Sequence, residues 1–286
     1  MEFRKIGAED ADWIRAASFA SRRRNCELSF GNLYSWGDRA GFLIADADGT
    51  LVAKYEDMFS VPVGAARDAA LDEILAQSGG KVTLFDVSGD ELPWLEKRLG
   101  KLDISYDRRW SDYLYLSERL ATLTGKKLAA KRNHINAFLR ENEEWHTEPV
   151  TPDNIGDVLA FRDEWTKENE DHADVSFRVE MQMGRRQMDV FFESGMQGLI
   201  LYTGGRIVAY SYGEPLCGST YCVHAEKALA SVRGAYPLIN REFVRRYCGN
   251  YEYVNREDDS GEEGLRQAKL SYDPVDILHK YMVKVG

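Results

Sequence analysis

The stretch STYCVHAEKALASVRGAYPLINREFVRRYC, residues 219–248, carries the reading of the fold. STYCVHAEKA reads as a strand, SVRGAY as a short turn with one glycine, and AYPLINREFVRRYC as a helix that stops at Gly249. YEYVN, 251–255, follows as a second strand. A strand, a crossing helix and a second strand are the core of an α/β unit. On the first strand Cys222 and His224 fall two apart and share a face, and His224 and Glu226 do the same.

Working upstream, MQGLILYTGGRIVAYSYGEPL (196–216) is a hairpin turning at Gly204-Gly205. FRVEMQMGRRQMDVFFESG (177–195) and TPDNIGDVLAFRDEWTKENE (151–170) read as helices, the latter with Thr151 as cap and Pro152 in its first position. EEWHTEPV (143–150) is a strand, and downstream VDILHKYMVKV (275–285) reads as one final strand. The first half runs in the same order. EFRKI (2–6) reads as a strand, 7–20 as a helix with Trp13, Ile14, Ala17 and Ala20 at helical spacing, and CELSFGNLYSWGDR (26–39) as a loop with aromatic anchors. Then come a hairpin over 41–56, a helix over 65–80, a strand over 81–88, a helix over 90–100, and one or two strands over 102–116. The expected class is mixed α/β (α+β). Residues 1–123 form one unit and 144–286 another, with a basic helix over 124–143 joining them.

Composition narrows the function classes. With 44% hydrophobic and 29% charged residues in 286, the chain is expected to be globular and large enough for two cores. A formal net charge of −10 disfavours a DNA-coating role. No apolar run is long enough for a membrane span, and the N-terminal residues do not resemble a signal peptide, so a cytoplasmic protein is expected. Four scattered cysteines fit packed, reduced thiols better than a disulfide framework, and no metal site is expected from their spacing.

Four stretches could carry chemistry. NREDDSGEEGLRQAKLSY, 255–272, does not fit a calcium loop, because its sixth and twelfth residues are Ser260 and Arg266. Ser260 with Glu263 suits a capping box, which starts a helix near Gly261 and puts Arg266 and Lys269 on one face. Such a helix start with cations can hold an anion or a developing oxyanion, although a solvated charge run gives the same composition. GKKLAAKRNHINAFLR (125–140) is basic without an acid. It sets Lys127, Lys131 and His134 in one stripe and Leu128, Ile135 and Leu139 in another, as a phosphate-binding helix or an ordinary amphipathic connector would. The turn at Gly234 suits a pyrophosphate, or simply starts a helix. In SFGNLYSW, Phe30, Leu33, Tyr34 and Trp36 suit core packing, with Asn32 free to face a pocket. His224 and Glu226 could form an acid–base couple.

Three of these strings, KKLAAKRNHINAF, HAEKA…RGAYPLINREF and YVNREDDSGEEGLRQAKLSYDP, resemble the bacterial family related to the catalytic domain of phosphatidylglycerol lysyltransferase. The likeness covers nearly the whole chain. It implies two tandem acyltransferase folds of the GNAT type, each a mixed, mostly antiparallel sheet flanked by helices, as in the Fem peptidyltransferases. Gly264, Leu265, Arg266 and Lys269 match the family's GLRxxK segment. The resemblance implies Lys269 and Arg266 at the transition state of an ester carbonyl, and Asn255, Glu257 and Asp258 on the adjacent strand end, able to hold an ammonium group. It implies Glu226 or Glu257 as base, with Lys127, Lys131 and Arg132 on donor phosphates. The expected catalytic residues are therefore Lys269, Arg266, Glu257 and Glu226. Lys127, Lys131, Arg132, Gly234, Asn255 and Asp258 are expected at the donor, and Asn32, Tyr34, Trp36 and His224 around the pocket.

At the turn that holds pyrophosphate in acetyl-CoA-dependent relatives, this chain keeps Gly234 and changes both outer positions. Aminoacyl-tRNA is therefore the expected co-substrate ahead of acyl-CoA, with no tightly bound cofactor. The acceptor is expected to be a small molecule, peptide or lipid headgroup. A non-catalytic module of the same fold, sensing a nucleotide or amino acid, is the alternative.

Overall fold

A computed structural model describes residues 1–169 and 175–286. Two mixed sheets flanked by helices make up the molecule. The chain opens with helices α1 (Ala11–Ser21) and α2 (Phe30–Ala40). Strands β1 (Leu43–Ala47), β2 (Thr50–Tyr55) and β3 (Met58–Ser60) follow, then α3 (Arg67–Gln77), β4 (Val82–Val87), α4 (Leu92–Leu99) and β5 (Asp103–Tyr106). Next come β6 (Asp112–Leu116), α5 (Ser117–Thr122), α6 (Ala129–Glu141), β7 (Trp145–Pro149), α7 (Ile155–Glu168) and α8 (Val175–Asp189). The second half continues with β8 (Gln197–Thr203), β9 (Arg206–Cys217), β10 (Thr220–Ala228), α9 (Ala235–Tyr247), β11 (Tyr253–Asn255), α10 (Glu263–Leu270), β12 (Asp276–Leu278) and β13 (Tyr281–Val285).

The six-stranded sheet has the order β1-β2-β3-β4-β13-β5, and the seven-stranded sheet β12-β6-β11-β10-β9-β8-β7. The sheets exchange strands across the division expected near residue 123. β6 precedes that division yet pairs with β11 and β12 in the second sheet. β13 is the last strand yet lies between β4 and β5 in the first. The run 275–285, expected as one strand, is therefore two strands in different sheets, broken at His279-Lys280. The core follows the sheets. One cluster gathers Ile14, Phe30, Leu51, Leu71, Leu84 and Val283; the other gathers Tyr113, Phe138, Leu199, Tyr210, Tyr221 and Phe243.

Local structure departs from the sequence expectations at several points. Residues 2–6 form no strand; Arg4 alone makes a two-way bridge to Ile44, at 2.9 and 2.8 Å. The expected loop at 26–39 is largely α2, capped by the Ser29 side chain, which accepts from the Asn32 N–H. Helix α7 begins at Ile155 instead of behind a Thr151 cap; the Asn154 side chain accepts the Thr151 N–H at 2.8 Å. Glu170, the expected end of that helix, lies outside the described residues. The Ser260 capping box does not form either. Ser260 sits at φ 50°, its N–H bonds Asp258, and α10 begins at Glu263. Among the described residues, no helix is long and apolar enough to cross a membrane. All four cysteines are buried and unbridged.

Candidate functional site

β10 and β11 are parallel neighbours for three residue pairs only, Thr220↔Tyr253, Tyr221↔Val254 and Cys222↔Asn255. Past Asn255 the chain keeps to β6 instead: Arg256 N–H bonds the Tyr113 carbonyl at 3.0 Å, and Tyr113 N–H the Glu257 carbonyl at 3.1 Å. β10 meanwhile runs on to Ala228 with an irregularity in its pairing to β9 at Val223/Ala225. The two strands thus part, and side chains bridge the opening. Arg256 donates to Glu226 at 3.0 Å, and His224 Nδ1 lies 2.8 Å from Glu257 Oε1. Asn240, on α9, donates to the second oxygen of Glu226 at 2.9 Å.

Aromatic rings and α10 wall this opening. The Arg256 guanidinium lies 4.5 Å from the Tyr272 ring centre and 5.5 Å from that of Tyr115. Lys131, from α6, reaches the Tyr272 ring at 4.0 Å. Burial, with the Arg256 charge assisting, lowers the Lys131 pKa. Lys269 is buried, and its ammonium donates to the backbone carbonyls of Arg256, at 2.5 Å, and Asp258. Burial also lowers its pKa, against the pull of Asp258 and Glu257. Arg266 grips Asp259 with two bonds of 2.9 and 3.0 Å. Burial would raise the Asp259 carboxyl, but bonds from Arg266, Tyr113 and the Gly261 N–H outweigh it and bring the pKa down to about 2.

A second network ties the opening to the first sheet's helices. The His224 side chain is fully buried, with Nε2 3.0 Å from Glu214 Oε1 as well as Nδ1 on Glu257. α2 closes this centre: Gly31 N–H bonds Glu214 at 2.9 Å, and the Asn32 amide donates to Glu257 at 3.1 Å. The Asn32 carbonyl accepts from Gln187 at 3.1 Å, and Gln187 accepts from the Tyr212 hydroxyl at 2.7 Å. Cys222 Sγ lies 3.7 Å from His224 Nδ1 and 3.8 Å from Glu257 Oε1. Burial would lower the His224 pKa; Cys222 and the two carboxylates outweigh it and push it well up. Burial would raise that of Glu257, and the His224 and Asn32 bonds bring it down.

Beside it lies a buried ion cluster. The Lys280 ammonium contacts Asp112 at 2.5 Å, Asp258 at 3.8 Å, Cys26 Sγ at 3.7 Å and Glu27. Asn255 donates to Asp112 at 2.8 Å and to the Arg24 carbonyl at 2.7 Å, joining β11 to the connection between α1 and α2.

Of the residues singled out in the sequence, the structure gathers Glu226, Glu257, Lys269, Asn255, Asp258, Asn32, His224 and Lys131 around the opening. The rest lie apart or are tied elsewhere. Lys127 is exposed and pairs with Asp273 at 2.7 Å, and Arg132 bonds the carbonyls of Leu123 and Gly125, closing the end of α5. Tyr34 packs on Phe30 beneath the Arg186 guanidinium, and Trp36 is half-buried further along α2. Gly234 has φ 86°, and a Cβ there would stand 2.2 Å from the His134 carbonyl oxygen. α6 thus packs closely against this turn. Sequence reasoning missed Glu214, Gln187, Tyr212 and Arg256. Its one available signal was Glu214 itself, the single acid in the mostly apolar run of β9.

Two mixed sheets with helices packed on them place a polar opening where the parallel neighbours β10 and β11 part. The chain belongs to the family described as phosphatidylglycerol lysyltransferase, C-terminal, whose model matches residues 19–284. A crystal structure of a conserved protein of unknown function from Bacteroides thetaiotaomicron is 39% identical, with full coverage of both chains and a TM-score of 0.93. The structure of L-PGS from Bacillus licheniformis shares the fold at 17% identity and a TM-score of 0.67, over 98% of this chain and 92% of that one. An uncharacterized protein of Mycoplasmoides gallisepticum is 26% identical over 207 residues, 71% of this chain. The match spans 65% of that curated relative's length.

Proposed function

We propose that the chain is a cytoplasmic acyltransferase that moves an aminoacyl or acyl group from an activated ester to an amine or hydroxyl, with charged tRNA as donor ahead of acyl-CoA. What supports the donor preference is the turn at Gly234, which departs from the pyrophosphate pattern at both outer positions and against which α6 packs, the His134 carbonyl oxygen lying 2.2 Å from where a Cβ would stand. In this reading the acceptor nitrogen or oxygen bonds to the acyl carbon, the ester C–O bond breaks, and the acceptor's proton passes through Glu226 or Glu257 to the leaving ribose oxygen. Lys269 has three donors and spends two on backbone carbonyls; the third is assigned to the oxyanion, in a site where burial strengthens it. Arg266 acts through Asp259, holding the wall in place. Lys131, against the Tyr272 ring, meets a donor phosphate, and a lipid headgroup, small molecule or peptide amine accepts.

A second reading has an observation of its own. Glu226–Arg256 and His224–Glu257 satisfy one another across the opening, as in a module that only senses a nucleotide or amino acid. Single-turnover loss of the aminoacyl group from a charged tRNA pool, with mixed amine and headgroup acceptors, separates the two. Transfer that disappears in Lys269→Ala with tRNA affinity within a few-fold supports the enzyme; affinity without transfer from any donor supports the sensor. Acetyl-CoA is the competing donor. A ligand at about a hundred times its dissociation constant adds roughly 2.7 kcal/mol, enough to move the melting temperature by a few degrees. Such a shift with acetyl-CoA overturns the donor preference.

A further inference from the structure

We infer that Cys222, His224 and Glu257 form a binding site for a divalent transition metal of the zinc class. Cys222 Sγ, His224 Nδ1 and Glu257 Oε1 converge on one point, at mutual distances of 3.7, 3.8 and 2.8 Å. Bonds of about 2.3 Å to sulfur and about 2.0–2.2 Å to nitrogen and oxygen put tetrahedral ligands about 3.3–3.7 Å apart. Both distances from sulfur are close to that spacing, and only the short Nδ1–Oε1 contact has to open. A thiolate and a carboxylate balance a divalent charge, and thiolate with imidazole selects zinc-like ions over magnesium or calcium.

The surroundings are those a ligating histidine needs. Its other nitrogen meets Glu214 at 3.0 Å, which fixes the ring, and Glu214 is held by the Gly31 N–H. Asn32 steadies the Glu257 oxygen. Glu214 Oε2 is buried without a hydrogen-bond partner among the described residues, so this pocket has a polar oxygen that its donors leave unsatisfied. The neighbouring group Cys26, Glu27 and Asp112 also has ligand spacing, but the Lys280 ammonium already stands among those three. That neighbouring cluster is built around its own lysine ammonium, whereas among the described residues no ammonium or guanidinium hydrogen-bonds the side chains of Cys222, His224 and Glu257. The Glu257 side chain is a quarter exposed, so the cluster reaches solvent at that ligand.

The site shares Glu257 with the acyl-transfer reading, and a metal there leaves Glu226 to carry the proton; because the readout is binding, the site is tested apart from transfer. The full chain, stripped with a chelator, is titrated with Co²⁺ alone. One equivalent is expected to bind, with a thiolate-to-cobalt charge-transfer band and the visible bands of a tetrahedral ion. Cys222→Ser abolishes the charge-transfer band and Cys248→Ser keeps it. Glu214→Gln keeps the band and weakens binding by about 10–100-fold. If Cys222→Ser does not fold, His224→Gln, with the thiol intact, must weaken binding at least about tenfold, by the same measure of a lost ligand contact. Absence of any band, a band that survives Cys222→Ser, or unchanged affinity in His224→Gln overturns the site.

Discussion

Gly234 shows how one residue reports on its neighbour. Its φ of 86° and the His134 carbonyl beside it both exclude a side chain. Gly234→Ala is expected to cost about 1–3 kcal/mol from backbone strain alone, with more from the contact. Gly249→Ala, where a Cβ meets nothing within 4 Å, stays within about 0.5 kcal/mol. Urea unfolding of the two variants tests the contrast. Asp10 supplies a pH dependence. Burial would raise its carboxyl, but bonds from Arg4, Gly7 and Trp13 outweigh this and lower its pKa from 3.8 to about 2. A carboxyl depressed on folding stabilises the protein above its unfolded pKa and loses that contribution as pH falls through the folded one. Asp10→Asn is therefore expected to flatten the loss of stability between pH 4 and pH 2, by at most about 2 kcal/mol, in acid unfolding curves.

At the scale of elements, the periodic ones were legible and the packed ones were not. Both hairpins announce their turns, at Asp48-Gly49 and Gly204-Gly205, and α9 shows its stop at Gly249. α2 hid because Gly31 and Gly37 break a helical pattern. Yet a Cβ at Gly31 would stand 2.3 Å from Met196 and 2.8 Å from Glu214, so the residue that disguised the helix is what lets it dock on the second sheet. Of the site, the strand face of His224 and Glu226 and the segment around Lys269 could be read. Glu214 and Arg256 could not, because their meaning depends on partners brought together across sheets. The connection between β12 and β13 shows the same point. Lys280 looks like one more surface lysine in sequence but sits among Asp112, Glu27 and Asp258. Lys280→Met is expected to cost about 3–5 kcal/mol, the penalty of leaving buried carboxylates unpaired, and thermal unfolding measures it.

For the whole molecule, the exchange of β6 and β13 makes each sheet depend on the other half of the chain. Calorimetry is expected to show one transition, with calorimetric and van't Hoff enthalpies in agreement, instead of two independently melting units. Two resolved transitions would show the sheets to be separable. That dependence also has a direction in time. On the ribosome the chain emerges from its N-terminus, and domains ordinarily fold as they appear. Here the six-stranded sheet lacks a central member until Tyr281–Val285 has been translated. β4 and β5 must wait with unpaired edges while the residues from 107 to β13 are made. Completion of the first sheet is thus paced by synthesis of the second half.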